Sequence, residues 1–190
     1  MKKTIIKMKL SSRADFVEML NEIDFNFSAP YWQHDRVFVP KRFTRDKSMP
    51  RLILRTIVKD PEKKATYALV MRRHFEDEKF DLVNATVIKD YSEMAHILYQ
   101  LGYELRYEVS RRREELRMGE SVSVYIDKID GLPGYYGRIE SNLSEGEDPQ
   151  QAYNDILETF KVLRVTGNPV NETYGEILES SKNDPMDKIS

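Results

Sequence analysis

The chain has 190 residues, 40% hydrophobic and 33% charged, with a net charge of −2 at pH 7, which fits one large, globular and heavily charged domain. It contains no cysteine, which excludes disulfides and thiolate metal sites, and no apolar run approaches the ~20 residues that cross a bilayer. We therefore expect a cytoplasmic protein without a membrane segment, with a single domain over residues 1–180 and a flexible tail over residues 181–190.

The first half of the chain predicts five strands and two helices. Ser11 or Ser12 caps the first helix, which runs to residue 23, and Asp90 starts the second, which ends at Leu101 before a glycine. Residues 25–33 are expected to be irregular, and residues 41–50 to form a basic loop or hairpin tip. The strands, predicted from alternating apolar and polar residues, cover residues 4–10, 35–39, 51–58, 66–73 and 80–87.

The second half repeats this layout. Asp148 and Pro149 start a helix that runs to residue 163, and a shorter helix covers residues 171–180. Three strands precede them, at residues 104–115, 121–127 and 136–141. Eight strands with accompanying helices predict an α+β fold, an antiparallel eight-stranded tunnel-like β-barrel with flanking helices.

Charged side chains share faces of the predicted strands. Arg111 and Arg113 point the same way, as do Arg138 and Glu140, because successive side chains alternate between faces. If the apolar faces pack against the helices, the charged faces converge in a barrel interior. The alternative is an open sheet whose charged face meets water. In a closed barrel, several arginines would repel each other unless an anion or carboxylates offset them, so this lining implies a ligand.

Several motifs resemble the CYTH superfamily, also called triphosphate tunnel enzymes. Residues 127–140 (DKIDGLPGYYGRIE) resemble its D-x-V-x-x-L-G-x-F-x-E-I-E, with one extra residue in the turn. The other matches are Tyr67-Ala68-Leu69-x-x-Arg72 with Y-A-L-T-x-K, Glu76-x-Glu78 with E-x-E, Leu101-Gly102-Tyr103 with L-G-F, Arg111-x-Arg113 with K-x-R, and Tyr174-x-x-x-Leu178 with the C-terminal closing helix.

The resemblance implies a tunnel that binds a triphosphate through basic residues and one or two divalent cations, Mg²⁺ or Mn²⁺, through carboxylates. It places metal ligands at Glu76, Glu78 and Glu140, and catalytic carboxylates at Asp127 and Glu140. The implied phosphate-binding residues are Lys7, Arg55, Arg72, Arg111 and Arg113. The ligand would be a nucleoside triphosphate, inorganic triphosphate or an RNA 5′-triphosphate end. Whether the protein is a monomer or a homodimer stays open at this point.

The chain departs from the family pattern at four positions. Lys3 and Ile5 stand where the N-terminal E-x-E-x-K motif has its glutamates, and Arg138 replaces the first glutamate of E-I-E. Ile53 replaces a phosphate-binding arginine. Because a hard dication needs several oxygen ligands and is repelled by nearby cations, we expect metal-dependent catalysis to be weakened, altered or absent.

Three functions therefore stay open. The first is a triphosphate-binding tunnel with metal-dependent phosphohydrolase or adenylate cyclase activity. The second is a degenerate, non-catalytic binding or regulatory protein of the same fold. The third is a nucleic-acid-binding protein that uses an outer basic patch at residues 41–55, because residues 36–73 hold twelve Lys or Arg against three Asp or Glu.

Overall fold

A computed structural model describes residues 1–42, 49–60, 62 and 64–182. Its centre is a closed barrel of eight antiparallel strands, in the order β1-β5-β4-β3-β2-β6-β7-β8. The predicted tunnel-like barrel is confirmed. The strands are β1 (Lys2–Leu10), β2 (Tyr31–Pro40), β3 (Arg51–Val58), β4 (Thr66–Phe75), β5 (Phe80–Ile88), β6 (Tyr103–Met118), β7 (Val122–Ile129) and β8 (Tyr135–Leu143).

The first strand closes the barrel. Along one edge β1 pairs with β8 over its whole length, from Lys2 opposite Leu143 to Leu10 opposite Tyr135. Along its other edge, Lys3 lies opposite Asp81 of β5. Closure places one face of each strand inside the barrel, so every second residue of a strand faces the barrel interior.

Four helices lie outside or across the end of the barrel: α1 (Arg13–Asn21), α2 (Tyr91–Gln100), α3 (Pro149–Val162) and α4 (Tyr174–Lys182). The predicted caps are confirmed: the side chains of Ser12, Asp90 and Asp148 each accept a backbone N–H of the first helical turn. Among these helices of the described residues, none combines the length and apolar character needed to cross a membrane.

The apolar strand faces pack outward against the helices. Ile6 and Met8 of β1 join Phe16 of α1 and Phe160 of α3 in the largest core cluster. Phe38 and Leu54, on the outer faces of β2 and β3, pack against Ala95 and Leu98 of α2. With apolar side chains directed outward into these clusters, the opposite strand faces are left to line the barrel, and these faces carry the charges.

Predicted boundaries differ from the structure in several elements, among them β2 and α4. Strand β2 begins at Tyr31, whereas residues 25–33 were expected to be irregular; buried Gln33 interrupts the apolar pattern that would have marked the strand. Helix α4 begins at Tyr174 rather than residue 171, and it extends to Lys182, into the segment predicted as a tail. The rest of that tail, residues 183–190, and most of the predicted basic loop, residues 43–48, lie outside the described residues.

Candidate functional site

The barrel interior contains a cavity of about 260 Å³. Its walls are residues of seven strands, β1 to β6 and β8, and the loop before α4 together with the start of that helix covers one side. The charged residues of the lining are Lys3, Lys7, Asp35, Arg51, Arg55, Arg72, Glu76, Lys79, Asp81, Arg111, Arg138 and Glu140. The sequence-based expectation that charged strand faces meet inside the barrel is confirmed.

Asp35 is the centre of one ion-pair group. Arg55, opposite it on β3, donates to both of its carboxylate oxygens at 2.7 and 3.1 Å. Arg111 donates to the same carboxylate from β6, and Gln33 adds two hydrogen bonds at 3.0 and 3.1 Å. Burial alone would raise the pKa of Asp35, but Arg55 and Arg111 outweigh burial and lower it. The carboxylate is therefore ionised, and both of its oxygens accept hydrogen bonds.

Asp127 forms a second group with Arg113, which lies opposite it on β6 and donates to both oxygens at 2.6 and 2.7 Å. Tyr174 of α4 donates to the same carboxylate at 3.0 Å. Burial, followed by the charge of Asp127, raises the pKa of Tyr174, so this hydroxyl keeps its proton and can donate. The group is fully buried and joins α4 to the barrel wall.

Glu140 is held between two cations. Lys3 donates to one carboxylate oxygen at 2.9 Å, and Arg138, from the same strand as Glu140, forms an ion pair with the other. Burial opposes ionisation of Glu140, but Arg138 and Lys3 lower its pKa. The two cations that replace family glutamates therefore neutralise the remaining glutamate.

Asp81 holds two side chains of β4. Arg72 donates through Nε to Oδ2 at 2.8 Å, and Nδ1 of His74 lies 2.7 Å from Oδ1. His74 is directly opposite Asp81 in the β4–β5 register. Asp81 is 2% exposed, and Arg72 and His74 lower its pKa although burial acts in the opposite direction.

Lys7 lies close to two other cations of the cavity, Arg72 and Arg138. It is directly opposite Arg138 in the β1–β8 register, and its amine donates to the backbone oxygen of Glu172. Burial, then repulsion from Arg72 and Arg138, lowers its pKa from 10.5 to about 7. A second like-charged pair faces the interior from β3 and β4, where Arg51 lies opposite Arg72. Like charges directly opposite one another destabilise a sheet.

An apolar belt crosses the same interior. Val37, Ile53 and Val70 lie directly opposite one another on β2, β3 and β4 and are buried together, with Val83 and Tyr107 packed against them. Ile53, which stands where the family pattern has an arginine, is therefore part of a packed apolar layer.

The cavity carries excess positive charge. Its described lining includes eight Lys or Arg side chains against four Asp or Glu side chains. Two buried donors, Nε of Arg111 and Nε of Arg138, have no hydrogen-bond partner among the described residues. A buried unsatisfied donor costs about 1–3 kcal/mol. Several buried cations also repel one another, and an anion inside this cavity would offset that repulsion.

The structure brings four of the five predicted phosphate-binding residues to the cavity: Lys7, Arg55, Arg72 and Arg111. Arg113 is not on the lining, since its guanidinium is buried against Asp127. Arg51 and Arg55, which belonged to the predicted outer basic patch, line the tunnel instead. That part of the nucleic-acid hypothesis is wrong, and residues 43–48 of the patch lie outside the described residues.

The predicted carboxylates are not assembled as a metal site. Glu140 and Glu76 line the cavity. Glu78, which is exposed to solvent, and Asp127, which is buried, do not line it. Within the described part of the chain, no three His, Asp or Glu side chains are grouped so that they could hold a metal ion. Because Asp127 and Glu140 are already bonded to cations, these residues do not fit Mg²⁺ or Mn²⁺, which need several oxygen ligands.

Three residues of the site were missed in the sequence. Asp35 pairs with Arg55 and Arg111, Asp81 pairs with Arg72, and His74 shares the carboxylate of Asp81. Asp35 and Asp81 occupy inward positions of predicted strands, and this alternation could have identified them as counter-charges. His74 shows no sequence spacing that sets it apart from the other two histidines.

Eight antiparallel strands closed around a charged interior define the CYTH, or triphosphate tunnel, fold. The PH1819 protein from Pyrococcus horikoshii OT3 is similar, with 19% identity and a TM-score of 0.79 over 94% of this chain and 99% of that one. A candidate adenylate cyclase from Vibrio parahaemolyticus has 16% identity and a TM-score of 0.77 over 93% and 97% of the two chains.

The candidate adenylyl cyclase HpAC1 from Hippeastrum, which shows a dominant triphosphatase activity, has 13% identity and a TM-score of 0.62 over 97% of this chain and 98% of that one. No protein-family model and no curated protein matches the sequence. At these identities the similarity establishes the fold, and the function has to be argued from the site.

Proposed function

We propose that this protein binds a triphosphate-containing polyanion in the tunnel, and that its own cations, rather than a bridging Mg²⁺ or Mn²⁺, hold the ligand. Arg51, Arg72 and Arg138 are paired with the carboxylates of Glu176, Asp81 and Glu140. The observation that carries the proposal is that two pairs of cations, Lys7 with Arg138 and Arg51 with Arg72, nevertheless lie directly opposite each other in one cavity. A polyanion between them converts repulsion into attraction.

The hydrogen-bond donors of the cavity indicate which residues would contact the phosphate groups. Arg55 directs Nε and Nη2 to Asp35, so it contributes mainly by fixing that carboxylate. Lys7 and Arg138 face each other across the β1–β8 ladder, and Arg72 and Arg111 line the same cavity. Phosphate oxygens are strong acceptors that match guanidinium groups, so Lys7, Arg72, Arg111 and Arg138 are the proposed phosphate-binding residues.

The volume of the cavity limits which triphosphate ligands it can enclose. At about 260 Å³ it lies below the range of about 300–1,000 Å³ typical of pockets that enclose drug-sized ligands. Inorganic triphosphate, or the triphosphate end of a larger molecule whose remainder stays outside, suits this volume better than a fully enclosed nucleoside triphosphate. The triphosphatase activity of the similarly folded HpAC1 supports a triphosphate as the ligand class.

Thermal unfolding with inorganic triphosphate in EDTA tests the proposal. Ligand at about 100 times its Kd adds about 2.7 kcal/mol to stability, which raises Tm by about 5–10 °C for a domain of this size. We expect the same rise with Mg²⁺ in place of EDTA. An unchanged Tm in both buffers would show that the tunnel has no such ligand.

A matched pair of variants locates the binding. Lys7→Met removes a cavity cation and is expected to weaken binding about tenfold to a hundredfold, because a hydrogen bond to a charged group is worth about 1.5–3 kcal/mol. Lys9→Met removes the same charge from an exposed position of the same strand and is expected to leave the Kd unchanged. Equal effects of the two substitutions would place the anion outside the tunnel.

A further inference from the structure

The His74–Asp81–Arg72 group has a chemical capacity that anion binding does not use. All three residues line the cavity; the His74 side chain is 40% exposed, whereas that of Asp81 is 2% exposed. Arg72 and His74 are bonded to different oxygens of the same carboxylate. Asp81 thereby fixes the position of a phosphate-binding arginine relative to an imidazole.

The hydrogen bond to Asp81 selects the tautomer of His74. An ionised carboxylate can only accept, so Nδ1 of the imidazole is the donor of the 2.7 Å bond. In the neutral ring the lone pair then lies on Nε2, which is the nitrogen directed away from Asp81. His74 lines the cavity, and no hydrogen bond joins its Nε2 to another described residue. An imidazole oriented by a buried carboxylate in this way has the arrangement of an activated nucleophile or base.

We propose that His74 accepts a phosphoryl group from the ligand, so that this tunnel carries out phosphoryl transfer without a divalent cation. The inference rests on the proposed function, since it requires a triphosphate in the cavity. Arg72 supports it by position, because its guanidinium is held beside His74 by their shared carboxylate.

The proposed phosphoryl transfer needs no reactant other than the triphosphate and water. The Nε2 lone pair forms a bond to the terminal phosphorus, and the bond from that phosphorus to the bridging oxygen breaks, with its electron pair leaving on diphosphate. Water then attacks the phosphorus, the N–P bond returns its electron pair to Nε2, and dihydrogenphosphate leaves with the oxygen and both protons of the water. Asp81 stabilises the positive charge that the ring gains in the first step.

Nearby cations take the part that a metal usually plays in such a reaction. Developing charge on the transferring group and on the leaving diphosphate needs positive partners. Arg72 is adjacent, and Lys3 and Lys79 line the same cavity. The carboxylate of Glu76 also lies on this lining, but it is exposed to solvent, which screens its repulsion of the ligand.

Labelling of the full chain tests the proposal. The protein is incubated with triphosphate carrying ³²P in its terminal groups, in EDTA, and quenched with alkali, in which phosphohistidine is stable while phosphoserine is not. We expect protein-bound label that acid removes, and we expect mass spectrometry to place it on His74. Unlabelled protein under conditions where triphosphate raises Tm would overturn the acceptor role and leave the proposed binding function intact.

Three variants sharpen the result. His74→Asn is expected to lose the label while still binding triphosphate, and Asp81→Asn to lower the rate of labelling about tenfold to a hundredfold. His34→Asn is the control, because His34 is bonded to Ser110 and is not on the cavity lining. Label that persists in His74→Asn would contradict the proposal, and absence of both label and Tm shift in the unmodified protein would overturn the binding function as well.

Discussion

Lys7 and Arg138 lie directly opposite each other on β1 and β8, and both side chains point into the tunnel. Burial, followed by repulsion from Arg72 and Arg138, lowers the pKa of Lys7 to about 7. An anion that enters between Lys7 and Arg138 favours the protonated form of the lysine and raises this pKa again.

Binding of triphosphate is expected to take up a proton at Lys7. The free protein has a Lys7 pKa of about 7, lowered by burial, Arg72 and Arg138, and a bound polyanion raises it toward the ordinary value of 10.5. At pH 8, calorimetry in two buffers of different ionisation enthalpy is expected to show uptake of close to one proton per ligand. Lys7→Met corrects for protonation of the ligand itself and is expected to remove the uptake.

Stability of the unliganded protein is expected to respond to the same group. Because the pKa of Lys7 is lower in the folded state than in the unfolded state, unfolding takes up a proton between pH 7 and 10.5. Lys7 therefore favours unfolding below pH 7, and this penalty is relieved as pH rises. Urea unfolding at a series of pH values is expected to show a smaller upward slope in Lys7→Met; parallel profiles would contradict the lowered pKa.

The ion pairs of Glu140 predict a gain of metal binding. Lys3→Glu combined with Arg138→Glu replaces both partners of Glu140 with carboxylates, which supplies the several oxygens that Mn²⁺ requires. Titration followed by electron paramagnetic resonance is expected to show Mn²⁺ binding to the double variant and none to the unmodified protein. The same charge change at exposed Lys9 and Arg112 is the control, and Mn²⁺ binding there would point to net charge as the cause.

Loss of Arg113 is expected to destabilise the fold rather than only weaken a ligand. Arg113→Ala leaves the carboxylate of Asp127, which is fully buried, without its bidentate partner. Removing one member of a buried pair costs about 3–5 kcal/mol. Arg112→Ala, on the opposite face and 5.9 Å from the Trp32 ring, is expected to cost under about 1 kcal/mol. Urea unfolding of both variants measures the difference, and similar costs would exclude a buried ion pair.

Gly175 is expected to be required for the close packing of α4 against Tyr107 of β6. A side chain at this position would overlap the ring of Tyr107, whose hydroxyl lies 3.1 Å from that of Thr173 just before the helix. Gly175→Ala is therefore expected to cost about 1–3 kcal/mol through overpacking, and Tyr107→Ala in addition to recover part of it. Ser180→Ala, on the exposed side of the same helix, is the control, and an equal cost there would exclude the clash as the cause.

The sequence predicted the barrel because its signals are local. Alternation marks strands, and Ser12, Asp90 and Asp148 mark helix starts through bonds to residues only two or three positions away. Alternation also predicted correctly that Arg111 and Arg138 face the interior.

The pairing of the charges could not be predicted in the same way. Asp127 has the sequence context of a catalytic or metal-binding carboxylate, and only its position opposite Arg113 in the β6–β7 register makes it an ion-pair partner. Likewise, Asp35 meets Arg55 and Asp81 meets His74 through strand register, which depends on the whole sheet. The chemistry of each carboxylate follows from its neighbour across the ladder.

Closure by β1 also sets the order in which the chain can fold. Strands β2 to β5 form a continuous meander of neighbouring hairpins, and β6 to β8 form another, so both can form from short-range contacts. The apolar residues Ile6, Met8 and Leu10 of β1 must wait for β8, since Lys2 pairs with Leu143. Because both partners of β1 are distant from it in the sequence, we expect its capture between β5 and β8 to be a slow phase of folding.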